Sequence, residues 1–118
     1  MATRKPGLGP QLRTIEEAHE RLGLSYGEIA ESLGADEGML ARWRQGDPAP
    51  LTVFERLDGL RTFTTELDRT FGSPADGRAW LDRSLAALGH RTPRAVIRAG
   101  ETDLLTSMLY ALNAGIPA

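Results

Sequence analysis

Apolar residues recur at intervals of three and four from Leu12 to Leu112, and no period-two alternation persists anywhere in the chain. That periodicity confines the fold to helices, an all-α class. Glycines and prolines punctuate the pattern. A first helix covers about Gln11 to Leu22, with Leu12, Ile15, Ala18 or His19, and Leu22 on one face and Gly23 as its stop. Ser25 followed three residues later by Glu28 is a capping box, opening a short helix with Ile29, Ala30 and Leu33 that Gly34 ends. Asp36 caps a third helix carrying Met39, Leu40 and Trp43, closed by Gly46 ahead of a linker marked by Pro48 and Pro50. The longest helix runs from Leu51 to Phe71 on a stripe of Val53, Phe54, Leu57, Leu60, Phe63 or Thr64, and Leu67. Gly59 inside it predicts either a bend or the close approach of a neighbour. The pairs Ser73-Pro74 and Thr92-Pro93 each put an N-cap before a proline at the first helical position. The first opens a helix with Ala79, Trp80 and Leu81, the second a short helix through Ile97. A last helix spans about Thr102 to Ala114, with Leu104, Leu105, Met108, Leu109 and Leu112 assigned to one face. Residues 1–10, holding two prolines and two glycines, read as a flexible tail.

The length of 118 residues suits about one domain, so the expected organisation is a tail over 1–10, a three-helix module over 11–50 and a helical part over 51–118 that share or abut a core. With no cysteine and two histidines, His19 and His90, the chain offers neither a disulfide nor an evident metal site, and no cofactor is expected. Neither histidine sits in a catalytic motif, and nucleophile elbows and phosphate-binding loops are missing, so an enzyme is not expected. No apolar run is long enough for a membrane span and the first nine residues lack a signal peptide's apolar centre, which makes the cytoplasm the expected compartment. Fourteen basic against sixteen acidic residues give a net charge of −2, which does not mark the whole chain as a nucleic-acid binder.

The segment LSYGEIAESLGADEGMLARW places a small residue, Ala30, where two helices meet, a turn glycine at Gly34, and apolar anchors at Leu40 and Trp43. This is the layout of a helix-turn-helix, and over residues 12–46 it resembles the Xre, or Cro/repressor-like, family. The resemblance implies that Leu40 and Trp43 face inward. Glu37, Gly38, Ala41, Arg42, Arg44 and Gln45 are then left outside on the recognition helix. Arg42 is the candidate for a guanine edge in the major groove, Arg44, Gln45 and Tyr26 for backbone phosphates, with Glu37 at the helix start that would meet the DNA. Residues 1–50 hold six basic and eight acidic side chains, so a purely structural three-helix module is an equal reading.

The segment from Phe71 to the last residue resembles the toxin-binding domain of the Xre/MbcA/ParS antitoxins. The likeness rests on the order and spacing of Phe71, Trp80, Leu81, Leu88, Gly89, Thr92-Pro93, Gly100, the helix around Leu109 and Leu112, and Gly115. His90 stands where the family often has a second glycine. The resemblance implies a non-enzymatic antitoxin of a type II pair, whose partner is a cognate RES-domain toxin that consumes NAD or a ParT-like ADP-ribosyltransferase. It further implies that the C-terminal end obstructs the toxin's NAD site, a role carried here to Asn113, Gly115, Ile116 and Pro117, with Thr92 and Pro93 also in the toxin-binding set. A homodimer paired through the long helix, a hetero-oligomer with toxin, and autorepression of the operon by the complex belong to the same expectation. The alternative is a stand-alone helix-turn-helix DNA-binding transcriptional regulator whose C-terminal half only dimerises. Trp80, like most aromatics at helical spacing, is assigned to the core.

Overall fold

A computed structural model of the chain describes residues 8–115. Among the described residues the architecture is all-helical, with no strand beyond an isolated bridge between Leu85 and Arg91. Helices α1 (Gln11–Arg21), α2 (Tyr26–Ser32) and α3 (Glu37–Arg44) precede the long α4 (Leu51–Thr70). After it come α5 (Pro74–Leu81), a 3-10 turn at Ala86–Leu88, α6 (Pro93–Arg98) and α7 (Thr102–Asn113). None of the described helices is long and apolar enough to cross a membrane.

Local chemistry sets most of these boundaries. Ser25 Oγ accepts from the Glu28 amide at 3.0 Å while Glu28 Oε1 accepts from the Ser25 amide at 3.0 Å, so both halves of the capping box form. Asp36, Ser73 and Thr92 cap α3, α5 and α6, accepting from Met39, Asp76 and Ala95 at 2.8, 3.2 and 3.1 Å. Each such cap contributes about 1 kcal/mol.

Helix α4 is the spine, with α1, α5 and α7 packed along it, while α2 lies between α3 and α6. Helix α7 runs parallel to α4: its first turn meets Gly59, where a Cβ would come within 3.1 Å of Asp103 Oδ1, and its last meets Glu66 and Thr70. Of the two roles predicted for Gly59, close approach is the one the structure uses. A single cluster of buried side chains runs from Leu8 in the first turn to Leu109 in α7, taking in Ile15, Ile29, Leu40, Trp43, Leu57, Phe63, Trp80, Ile97 and Leu105. Leu8, inside the stretch expected as tail, is 1% exposed and part of that core; residues 1–7 of the expected tail lie outside the described residues.

One feature corrects the sequence reading. On α7 the buried line is Thr102, Leu105, Thr106 and Leu109, leaving Leu104 at 43% and Leu112 at 46% exposure. The five apolar residues assigned to one face are therefore split. The Thr106 hydroxyl donates to the Thr102 carbonyl at 3.4 Å, so its polar atom is satisfied within the helix and the residue can turn into the core. The loop between α5 and α6 is held by its own hydrogen bonds. His90 adopts φ 66° beside Gly89 at φ 67°, Ser84 Oγ donates to the His90 carbonyl at 2.5 Å, and the His90 amide donates to Leu85 at 2.9 Å. A residue with a Cβ has thus taken a glycine's conformation, and the tight turn survives.

Candidate functional site

The N-terminal module presents α3 outward, with Leu40 and Trp43 buried beneath it and Glu37, Arg42, Arg44 and Gln45 exposed. The predicted DNA-facing residues do not form one basic surface. Arg44 Nη2 donates to Glu16 Oε1 at 2.6 Å and to the Tyr26 hydroxyl at 3.3 Å, and its guanidinium lies 4.2 Å from the centre of the Tyr26 ring. The Tyr26 hydroxyl donates to Glu16 Oε2 at 2.8 Å, and its ring stacks on His19 at 4.1 Å, whose Nδ1–H donates to the Leu24 carbonyl at 2.8 Å. The Tyr26 hydroxyl, with help from Arg44 and against the opposing effect of desolvation, holds the Glu16 carboxyl below its usual range. The same bond pushes the Tyr26 phenol up. Two expected phosphate contacts are therefore bound to an acid of their own chain. Arg42 and Gln45 have no side-chain hydrogen bond or ion pair among the described residues.

Behind α3, helix α2 is riveted to α6. Arg94 pairs with Glu28 at 3.2 Å and Asp82 at 2.8 Å and donates to the Gly23 carbonyl at 3.3 Å, and Arg98 pairs with Glu31 at 3.2 Å. Burial works to raise the Glu28 carboxyl, but the Ser25 amide and Arg94 outweigh it and hold the group low. The hydrogen bond to Asp82 holds the Arg94 guanidinium above its ordinary value.

The toxin-binding candidates fall into two kinds. Thr92 spends its hydroxyl capping α6 and Pro93 is buried as the first residue of that helix, so both build the framework. Asn113 and Gly115 lie together and exposed at the end of α7. Asn113 Nδ2 donates to Thr70 Oγ1 at 3.0 Å and to Glu66 Oε2 at 3.3 Å. Gly115, at φ 74°, turns the chain out of the helix, its amide donating to Leu112 at 3.1 Å. Ile116 and Pro117 lie outside the described residues. Along the flank of α7 that leads to Gly115, Leu104, half-buried Met108 and Leu112 form an apolar ridge, with Tyr110 50% exposed on the opposite flank beside Arg61, Thr65 and Arg69.

Sequence reasoning missed Glu66. It is 3% exposed, and its Oε1 accepts from Arg69 at 3.1 Å. A signal existed: Gly59, Phe63, Glu66 and Thr70 recur at helical spacing as a second stripe on α4, the one facing α7. Nothing in this arrangement pairs a nucleophile with a base, and among the described residues no three potential ligands converge on a metal position. What the surface holds is an apolar ridge beside a fixed helix end.

Residues 66–115, which contain all of these features except the first turns of the ridge's partner helix, match the family described as the antitoxin Xre/MbcA/ParS C-terminal toxin-binding domain. The whole chain is similar to the mycobacterial cidal antitoxin MbcA of Mycobacterium tuberculosis, and to that of Mycobacterium bovis, at 29% identity over 112 residues, covering 93% of this chain and 97% of the relative. The fold matches a chain in the crystal structure of the M. tuberculosis MbcT–MbcA toxin–antitoxin complex with a TM-score of 0.65 and 27% identity, over 89% of this chain and 95% of that one.

Proposed function

We propose, for a chain that belongs to the Xre/MbcA/ParS antitoxin family, that it is the antitoxin of a type II pair. Its partner is a toxin that consumes NAD, of the RES-domain or ParT-like kind, and its C-terminal end obstructs that toxin's active site. The observation that carries this reading is the α7 ridge. Leu104 and Leu112 stay about half exposed on either side of half-buried Met108 although the core lies one helical face away, and the ridge leads straight to Gly115 inside the matched domain. Leaving two leucines about half exposed forgoes burial energy of roughly 25 cal/mol for each Å², and an exposed apolar patch of this kind marks a partner surface. The chain's role is then to bind and occlude, with no chemistry of its own.

Operator binding is the weaker part of the reading. Arg44 and Tyr26 are engaged with Glu16, so Arg42 and Gln45 are left as the module's free polar contacts, and affinity for DNA rests largely on phosphate neutralisation. Autorepression would accordingly need the charge and symmetry of the assembled complex.

The test is capture of the partner by the tagged full-length chain from its own host, identification by mass spectrometry, and assay for NAD loss with and without the chain. The expected result is a stoichiometric protein that destroys NAD and falls silent when the chain is added. Leu112→Glu should cut capture by about tenfold, a loss of about 1.4 kcal/mol, with the helical circular-dichroism signal unchanged. Recovery of DNA with no stoichiometric protein partner would overturn the reading in favour of a stand-alone regulator.

A further inference from the structure

Helices α4 and α7 pack along their length, and among the described residues every side-chain hydrogen bond between them lies at one end. Asn113 Nδ2 donates to Glu66 Oε2 at 3.3 Å and to Thr70 Oγ1 at 3.0 Å. Thr70 Oγ1 is itself within 2.8 Å of the Glu66 carbonyl, and Glu66 Oε1 accepts from Arg69 at 3.1 Å. A carboxylate side chain that is 4% exposed is costly to bury unless it is hydrogen-bonded, and an apolar pair at this position would hold two helices together at least as well. What an apolar contact lacks is direction. Hydrogen bonds to a buried carboxylate fix the roll and register of the helix that donates them.

We propose that Glu66, Thr70 and Asn113 are positioning residues: they set the roll of the last turn of α7, and hence the direction in which the chain beyond Gly115 is delivered to the toxin. The geometry is short. Asn113 is two residues before Gly115, whose left-handed φ of 74° takes its bearing from that last turn. This inference rests on the reading of the C-terminal end as the inhibitory element. Under it, Asn113 faces its own chain and acts through the segment it aims, rather than touching the toxin.

The test uses the full chain and the toxin that it captures, with three separate readouts: NAD loss, binding affinity and melting temperature. Asn113→Asp puts a second carboxylate beside Glu66, and the melting temperature reads what that repulsion costs the fold. Inhibition should weaken by about tenfold, while affinity, held by the α7 ridge, changes less than about threefold. Glu66→Gln combined with Asn113→Asp restores a donor and an acceptor with their places exchanged, and should return inhibition to within about threefold of wild type. Full inhibition by Asn113→Asp would overturn the proposal. So would failure of the double variant to recover although it melts like wild type, or a fall in affinity parallel to the fall in inhibition, which would make Asn113 a direct contact. If the wild-type chain does not silence its captured partner, the functional reading fails and takes the positioning role with it; that outcome is seen before any variant is compared.

Discussion

His90 holds φ 66°, a conformation that costs a residue with a Cβ roughly 1–2 kcal/mol. Glycine there would remove the strain and give back part of the gain, about 0.4–1 kcal/mol, as extra freedom of the unfolded chain. His90→Gly should therefore raise stability by about 0.5–1 kcal/mol, read as a higher urea midpoint at unchanged slope. An unchanged or lower midpoint would mean that the histidine side chain contributes something its exposed place in the loop does not show. At this scale much of the chain was legible. Ser25, Asp36, Ser73 and Thr92 announce their helices because a cap is a contact between residues three apart. For Glu66 the spacing with Gly59, Phe63 and Thr70 signals an inner face but not a partner, since Asn113, which bonds it there, is 47 positions away.

Between elements, residue type stops deciding and neighbours begin to. Leu51 and Leu57 belong to the same helix, yet Leu51 is 73% exposed and Leu57 not at all. Leu57→Ala should cost about 2–5 kcal/mol in a denaturation curve, and Leu51→Ala less than about 0.5 kcal/mol. Equal losses would mean that the first turn of α4 is covered in solution. The same dependence explains where sequence reading erred on α7. Leu104, Leu105, Met108, Leu109 and Leu112 make a stripe wider than its neighbours cover, and the positions of α4 and α6 select Leu105 and Leu109 for the core. That the helix exists was legible; which flank stays wet was not. Similarly, Arg44 looked available for phosphate because Glu16, 28 residues earlier, could not be seen to reach it.

Across the whole molecule, the Glu28–Arg94 and Glu31–Arg98 pairs join the N-terminal three helices to the domain matched by the antitoxin family. Glu28 is held below its ordinary value in the folded state, so by linkage its contribution is complete above the usual glutamate range and is lost as pH falls through the lower folded value. Acidification through that window should lower the melting temperature of wild type, and Glu28→Gln, less stable at neutral pH, should show a flatter acid limb. Parallel acid limbs would place the pH dependence elsewhere. The parallel pairing of α4 with α7 has a consequence in time. Two parallel helices cannot be closed by a short turn, and everything from Phe71 to Glu101 must cross between them first. Local pairs such as α2 with α3 and α6 with α7 can form early, whereas the α4–α7 seam, like the α2–α6 contact, waits on the slower kind of contact, one between distant parts of the chain. The ridge proposed as the toxin surface thus depends on a contact that forms late, and under that proposal a chain interrupted during synthesis or clipped before α7 has no inhibitor to offer.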